Sequence, residues 1–315
     1  MQENLPSPII AERLTKSFAG VRAVDQLSFE VQAGEIFGLV GPDGAGKTTT
    51  LRMLAGILPP DEGTARVAAF DVVHDPENAK RHLSYMPQRF GLYEDLTVDE
   101  NIRFYADLFK VHRREREERS TSLLQAAGMR EFRRRLAGKL SGGMKQKLAL
   151  VCALIHRPNI ILLDEPTTGV DPVSRRDFWR ILYQLVSEGV TILTSTAYLD
   201  EAERCHRVAL LHLGKLLFCD TPGNLKARLG KSVLSITSSQ PRRLRAELQA
   251  AAGISSLVMT GDGVHVMVDN GAHRIPEFTA RLKNASVPVD AIQQVTPTIE
   301  DLFVDAVGSG ASSHA

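Results

Sequence analysis

Cysteine is scarce in this 315-residue sequence: Cys152, Cys205 and Cys219 are the only three, widely spaced and set in apolar or mixed surroundings. That excludes a disulfide framework. With no paired spacing and no histidine partners it also excludes a cysteine metal site, so the three read as reduced core thiols of a cytoplasmic protein. Long hydrophobic runs are missing as well, since no window reaches the roughly 18 uncharged apolar residues that a membrane-spanning helix requires. If the protein serves a membrane, the spanning part is expected in another chain. Residues 1–8 carry no basic cluster followed by an apolar block, so no signal peptide is expected. Excess charge is absent too: 38 Lys and Arg face 37 Asp and Glu, leaving a formal +1. No global field then draws the chain to nucleic acid or anionic lipid, and any partner has to be recognised by a local surface.

What the sequence has is a phosphate loop. Gly41, Pro42, Asp43, Gly44, Ala45, Gly46, Lys47, Thr48 and Thr49 match G-x-x-x-x-G-K-S/T at Gly41, Gly46, Lys47 and Thr48. The apolar run 36–40 precedes them and the helix-forming run 51–55 follows, which is the strand, loop and helix start that gives the motif its meaning. Glycines let the backbone curl so that successive N–H groups point at phosphate oxygens, and the helix beginning near Lys47 adds the positive end of its dipole. In that setting Lys47 holds the β and γ phosphates and Thr48 offers a hydroxyl to Mg²⁺. A glycine-rich turn with an ordinary surface lysine would not need both flanks.

The length and the 43% hydrophobic content suggest two domains of unequal size, each with a normal core. Residues 9–14 and 27–31 read as strands, with a turn at 16–20 that carries Phe18. Phe18 is either a cap on the core, which the pattern alone favours, or a stacker on an adenine ring. Residues 83–87 form a strand stopped by Pro87, and Gln88 follows at a strand end, where an α/β sheet binds its ligands. Thr97-Val98-Asp99-Glu100 is a capping box, and the helical spacing behind it makes 97–138 a mostly helical insertion. Its basic runs, 112–119 and 130–135, are interleaved with Glu115, Glu117 and Glu118 in the first and read as a solvated face. Ser141, Gly142 and Gly143 open a further helix and form a second anion-binding start without its own lysine.

Residues 160–163 are four apolar residues in succession, as in a parallel strand covered on both faces. Asp164 and Glu165 end that strand. There Asp164 is placed to hold Mg²⁺ and Glu165 to orient or deprotonate an attacking water. Apolar runs starting at 36, 83, 160, 190 and 207 predict a mainly parallel sheet with helices between. From residue 231 the order becomes β-α-β-β-α-β, similar to a small ferredoxin-like domain, with a glycine- and serine-rich tail at its end that reads as flexible.

Taken in order, the phosphate loop, Gln88, Leu140-Ser141-Gly142-Gly143, the run ending Asp164-Glu165-Pro166, and Gly169-Val170-Asp171 resemble the nucleotide-binding subunit of an ATP-binding cassette (ABC) transporter. The resemblance covers about residues 8–225. The ending 296–303 and the small domain before it are similar to the C-terminal extension of ABC-2-type drug exporter ATPases, and 85–97 with 136–147 look like the first half of tandem-ATPase multidrug exporter subunits, although only one phosphate loop exists here. The resemblance implies an α/β P-loop NTPase fold with a mainly parallel sheet, an antiparallel β subdomain and an inserted helical subdomain at about 97–158. The implied division is an ATPase domain over 1–228, an accessory α+β domain over 229–306 and a tail over 307–315. It also implies ATP and Mg²⁺ as ligands, a second ABC ATPase domain as partner, and separate ABC-2 permease subunits that the chain meets at the inner face of a bacterial membrane. In the implied dimer, Lys47, Thr48, Gln88, Asp164 and Glu165 of one subunit face Ser141, Gly142 and Gly143 of the other. Asp171 lies in the dimer loop, Gln88 joins Thr48 and Asp164 around Mg²⁺, and Phe18 becomes the adenine stacker.

One position departs from the family. Where a histidine that contacts the γ-phosphate is expected, the chain has Ala197. A methyl group neither donates a hydrogen bond nor carries charge, so the site on this phosphate loop is expected to hydrolyse ATP slowly and to be completed in a heteromeric pair. The competing expectation is a homodimer that tolerates the loss. A non-transport ABC ATPase acting on DNA or the ribosome would carry coiled-coil insertions, zinc modules or a second cassette, and none is present.

Overall fold

A computed structural model of the chain describes residues 7–249 and 251–311. The chain divides into two compact units, one of residues 1–201 with 205–219 and the other of 202–204 with 220–315. Chain order begins with β1 (Ile9–Phe18), β2 (Val21–Val31), β3 (Ile36–Val40), α1 (Lys47–Leu54), β4 (Glu62–Val67), β5 (Phe70–Asp71), α2 (Pro76–His82) and β6 (Leu83–Met86). Next come α3 (Val98–Leu108), α4 (Arg113–Ala126), α5 (Gly142–Leu154), β7 (Ile160–Asp164), α6 (Pro172–Ser187), β8 (Thr191–Thr196), α7 (Leu199–Ala202), β9 (Arg207–His212) and β10 (Lys215–Asp220).

Strands β3 and β7 are buried at all five positions each. Sequences without polar alternation suit strands covered on both faces, and both sit inside a six-stranded sheet ordered β10-β9-β3-β8-β7-β6. There β3 runs parallel to β8 and β9, and β7 runs parallel to β6 and β8. Parallel strands bring their C-terminal ends to one edge, so Val40, Met86, Asp164 and Thr196 deliver their following loops to a common crevice. The second sheet of this unit, β2-β1-β4-β5, is antiparallel. Phe29 of β2 stacks on Phe37 of β3 with ring centroids 5.4 Å apart, inside the shared core.

Strand β1 continues to Phe18, which pairs with Val21, so the turn expected over 16–20 shrinks to Ala19 and Gly20. Both have positive φ, 45° and 83°, as a two-residue hairpin turn requires. The capping box at α3 is present: Thr97 N–H donates to Glu100 Oε2 at 2.8 Å and Glu100 N–H donates to Thr97 Oγ1 at 3.2 Å. The basic run on α4 is laced with acids, Arg116 with Asp107 and Arg119 with Glu115. Cys152 and Cys205 are buried free thiols, and burial pushes both pKa values up.

The second unit holds α8 (Pro222–Ala227), β11 (Ser232–Thr237), α9 (Pro241–Gln249), β12 (Ser256–Met259), β13 (Gly263–Val268), α10 (Gly271–Asn284), β14 (Ala291–Val295) and α11 (Ile299–Ala311). From β11 onward this is the expected β-α-β-β-α-β series, folded as an antiparallel sheet ordered β12-β13-β11-β14. Leu234, Ile236, Val264 and Val266 pack against Leu244 and Leu248 of α9 and Phe278 and Leu282 of α10. Helix α10 starts five residues before Pro276, because Asn270 caps it by accepting from His273 N–H at 3.3 Å. Helix α11 continues through Ala311, which corrects the flexible tail expected from residue 307, while 312–315 lie outside the described residues.

His265 of β13 and Asp301 of α11 form a pair at 3.2 Å. Asp301 also accepts from Thr298 N–H at 2.8 Å and donates its own N–H to Thr298 Oγ1 at 3.2 Å, a capping box at the start of α11. The Asp301 hydrogen bond raises the His265 pKa, against the desolvation that lowers it. Burial by itself would raise Asp301, and the hydrogen bonds from His265 and Thr298 bring it below the ordinary carboxylate value. His265 is above its unfolded value of roughly 6.5, so its contribution is complete below that pH and is lost as pH rises through the folded value. Asp301 works the other way, contributing above about pH 3.9 and fading in stronger acid. Stability from this pair is therefore expected to be greatest between about pH 4 and 6.5. Because the imidazole is partly solvated, the effect is under about 1 kcal/mol. Thermal melts of the full chain should fall less steeply above pH 6.5 in His265→Gln than in wild type; parallel profiles would dismiss the pair.

Candidate phosphate-binding site

The loop between β3 and α1 turns on two left-handed glycines, Gly44 at φ 78° and Gly46 at φ 98°. A side chain on Gly46 would put its Cβ 2.5 Å from Ala23 O, and one on Gly41 would stand 2.3 Å from Leu211 O. Only glycine lets the backbone pass so close to its neighbours. Lys47 then leads α1 with 4% of its surface exposed. Its Nζ donates to Gly41 O at 2.8 Å and Pro42 O at 3.0 Å and lies 3.1 Å from Glu165 Oε1. A buried cation held by two carbonyls and one carboxylate leaves its charge on the cavity wall.

Two acids end β7, and each has its own set of partners. Asp164 Oδ1 accepts from Thr48 Oγ1 at 2.9 Å and from Ser195 Oγ at 2.8 Å, while Oδ2 accepts from the Tyr85 hydroxyl at 3.2 Å. Burial first, and the Asp164 charge second, push the Tyr85 phenol up to about 12, so it remains a donor at any physiological pH. Glu165 turns away in the left-handed region at φ 47°. That conformation is costly for a non-glycine residue and is the kind of strain found at functional sites. Its N–H donates to Ser195 Oγ at 3.0 Å, and its Oε2 accepts from Gln88 Nε2 at 3.1 Å and Thr168 Oγ1 at 3.2 Å.

The structure thus gathers Lys47, Thr48, Gln88, Asp164 and Glu165 from three strand ends, those of β3, β6 and β7. Residues 43–49, with Ala23, Gln88 and Glu165, line a cavity of about 380 Å³. That is room for a polyphosphate chain, and the buried lysine supplies the opposite charge. Hydroxyl and carboxylate oxygens 2.9 Å apart at Thr48 and Asp164 are the donor set that Mg²⁺ takes. Gln88 is brought to Glu165 rather than to the Thr48 and Asp164 pair.

Other candidates lie apart from that cavity. Phe18 is 47% exposed, with Lys16 Nζ 5.9 Å from its ring centroid, so the core reading of Phe18 is wrong. Ser141 caps α5 by accepting from Met144 N–H at 3.3 Å, and Ser141 and Gly142 are exposed. Gly143 is buried, and a Cβ there would stand 2.5 Å from Ser174 Oγ in the first turn of α6. Asp171 caps the same helix by accepting from Val173 N–H at 3.1 Å and Ser174 N–H at 2.9 Å, bonds that hold its carboxyl below the usual range. Ala197 follows β8, and Thr196 O accepts the N–H of Gly41 at 3.2 Å.

Sequence reasoning missed Tyr85, Ser195 and Thr168, which hold the two acids, and Glu201. Glu201 is 1% exposed and accepts from Thr167 Oγ1 and Thr196 Oγ1, both at 2.7 Å, and from Trp179 Nε1 at 3.3 Å. It ties the loop after β8 to the turn after Glu165.

Residues 24–168 match the ABC transporter family model, and 221–307 match the model of the ATP-binding protein DrrA1-3-like C-terminal domain. Daunorubicin/doxorubicin resistance ATP-binding protein DrrA of Streptomyces peucetius is 41% identical over 224 residues, 71% of this chain and 68% of that one. Nod factor export ATP-binding protein I of Burkholderia thailandensis is 38% identical over 280 residues, 88% and 90% of the two chains. The chain belongs to the ABC transporter ATP-binding proteins. The probable multidrug ABC transporter ATP-binding protein YbhF of Escherichia coli is 43% identical over 306 residues, which is 96% of this ABC ATPase but 52% of YbhF, so the chain spans about half the length of that relative. Among solved structures, an ATP-binding subunit of an ABC transporter superposes with a TM-score of 0.65 at 29% identity, covering 71% of this chain and 94% of that one. A dimeric ATP-binding cassette in a post-hydrolysis state with ADP and Pi gives 0.62 at 25% identity, covering 68% and 98%. The family and the P-loop α/β fold are those that the sequence resemblance implied. Among the described residues no helix is long and apolar enough to cross a membrane.

Proposed function

We propose that this ABC ATPase is the motor subunit of an ABC-2-type export system, driving efflux of a drug-like or other substrate through separate permease subunits at the cytoplasmic face of a bacterial membrane. The observation that carries this reading is the division of the site. Lys47, Thr48, Gln88 and Glu165 line one cavity, with Asp164 bonded to Thr48 behind its wall, while the exposed helix start at Ser141 and Gly142 lines none of it. An anion-binding helix start whose first-turn lysine, Lys145, is taken up by Glu94 at 2.6 Å is suited to close on a phosphate held elsewhere, so two ATPase domains pair head to tail around two nucleotides. The names of the relatives, drug resistance and export proteins, support the transport role.

Within one site, Lys47 and the loop N–H groups hold the terminal phosphates, and Phe18, standing clear of the core, stacks on the adenine. Thr48 and Asp164 would hold Mg²⁺, which when bound neutralises phosphate charge; Gln88, expected beside the metal, would reach it only by leaving Glu165. Glu165 orients the attacking water and takes its proton, and Gln88 and Thr168 keep that carboxylate in place. The permease side is met by 90–97 and by an apolar hollow of about 300 Å³ lined by Phe90, Tyr105, Leu108 and Phe109. The first unit is the ATPase domain with its helical insertion, and the second is the accessory domain.

Ala197 favours a second reading, a hydrolysis-impaired partner in a heteromeric complex, because the residue after Thr196 has no group to reach a phosphate. Steady-state ATPase of the purified chain is expected to be slow and to rise about tenfold or more in Ala197→His. A wild type that turns over briskly, with Ala197→His unchanged, would instead leave a homodimeric motor. Co-purification with a separately encoded permease checks the transport reading in either case.

A further inference from the structure

We propose that Tyr85 and Ser195 are positioning residues that clamp Asp164 from both sides and set how tightly the site takes Mg²⁺. The inference rests on the reading of Asp164 as the magnesium-side acid. Ser195 is fully buried one residue before the C-terminal end of β8, and its hydroxyl serves both acids: it donates to Asp164 Oδ1 at 2.8 Å and accepts the N–H of Glu165 at 3.0 Å. Thr48 shares Oδ1 at 2.9 Å. When the Thr48 hydroxyl turns its oxygen to a metal, Oδ1 retains Ser195. The other oxygen is held from β6 by the Tyr85 hydroxyl at 3.2 Å, long for such a bond, as is common at sites that tighten on ligand binding. Two donors from two different strands leave the carboxylate one orientation, and outer-shell donors of this kind set metal affinity as strongly as many ligands do.

The Tyr85 ring has a second surface. It lines the apolar hollow together with Phe90, Tyr105 and Phe109, while its hydroxyl reaches Asp164. One side chain therefore borders both the hollow and the metal-side acid. Phenylalanine at this position keeps the wall and removes only the hydroxyl, which makes Tyr85→Phe the informative variant.

The test is equilibrium binding of a fluorescent methylanthraniloyl-ATP to the full chain, first in EDTA and then along a Mg²⁺ titration. Tyr85→Phe should bind the probe in EDTA within about twofold of wild type, which also establishes that it is folded, and should need about tenfold more Mg²⁺ for half of the metal-dependent rise. Ser195→Ala should shift the Mg²⁺ midpoint in the same direction. The electron paramagnetic resonance signal of Mn²⁺ bound with ATP should broaden in both, a change that looser packing elsewhere would not cause. Midpoints within twofold of wild type in both variants would overturn the clamp. A wild type whose probe binding ignores Mg²⁺ would overturn the assignment of Asp164, and the clamp with it.

Discussion

Lys47→Ala is expected to lower ATP affinity by roughly 10²-fold to 10⁴-fold in calorimetric titration. Two charge-assisted hydrogen bonds to phosphate are worth about 1.5–3 kcal/mol each, and each 1.4 kcal/mol is a factor of ten in affinity. The residue is preorganised for that task, because Gly41 O and Pro42 O already hold its Nζ in the loop. No other lysine or arginine lines the cavity among the described residues. The same substitution leaves Glu165, 9% exposed, without the cation 3.1 Å away. Removing one partner of a buried pair costs up to about 3–5 kcal/mol, so the variant is also expected to melt earlier. The double change with Glu165→Gln separates the two effects: it should recover the melting temperature and leave binding lost. Affinity within a few-fold of wild type in Lys47→Ala would remove this lysine from the phosphate site.

The contrast between Lys47 and Tyr85 explains how much of the site was legible. The phosphate loop is encoded by spacing, since the backbone path demands glycine at Gly41 and Gly46 and the helix start demands Lys47 and Thr48 in succession. Asp164 and Glu165 could be found because adjacent acids at the end of a four-residue apolar run have no ordinary structural reason. Tyr85 and Ser195 offered no such contradiction. A tyrosine or a serine in a buried strand satisfies propensity, and only the pairing of β6 with β7 and of β7 with β8 shows that both hydroxyls point at one carboxylate. Glu201 was passed over because Asp200, Glu201 and Glu203 look like the acidic first turn of a surface helix. Its burial depends on Thr167 and Trp179, which reach it from segments 34 and 22 residues away.

The fold followed the same division. Apolar runs placed β3 and β7, the start at 190 placed β8 although it carries Thr191, Thr194, Ser195 and Thr196, and the order of the second unit was readable from its strand and turn residues. Pattern alone favoured the core for Phe18 because a lone aromatic next to a turn has no periodic context, and the register Phe18 to Val21 carries it to the hairpin tip. Gly308 and Gly310 suggested a free tail, yet they prolong α11, whose start is secured by Thr298 and Asp301. A helix nucleated by a good cap and packed along its first turns continues through residues of poor propensity at small cost per residue.

Glu165→Gln is the change that most directly asks whether the assembled site performs chemistry. The side chains are nearly isosteric, so Lys47, Gln88 and Thr168 keep a neighbour of the same shape, and ATP affinity is expected to stay within a few-fold of wild type. The amide cannot take a proton from water. Its NH₂ end can no longer accept from whichever of Lys47 Nζ or Gln88 Nε2 faces it at 3.1 Å. Loss of a positioned base lowers kcat by about 10²-fold to 10⁴-fold, and with binding retained the ATP-bound form should accumulate. The measurement is best made against Ala197→His, where turnover is larger and a fall of that size stays within the range of a phosphate-release assay. A fall of less than about threefold in that background would take the base role from Glu165 and transfer the search to the partner domain's side of the interface.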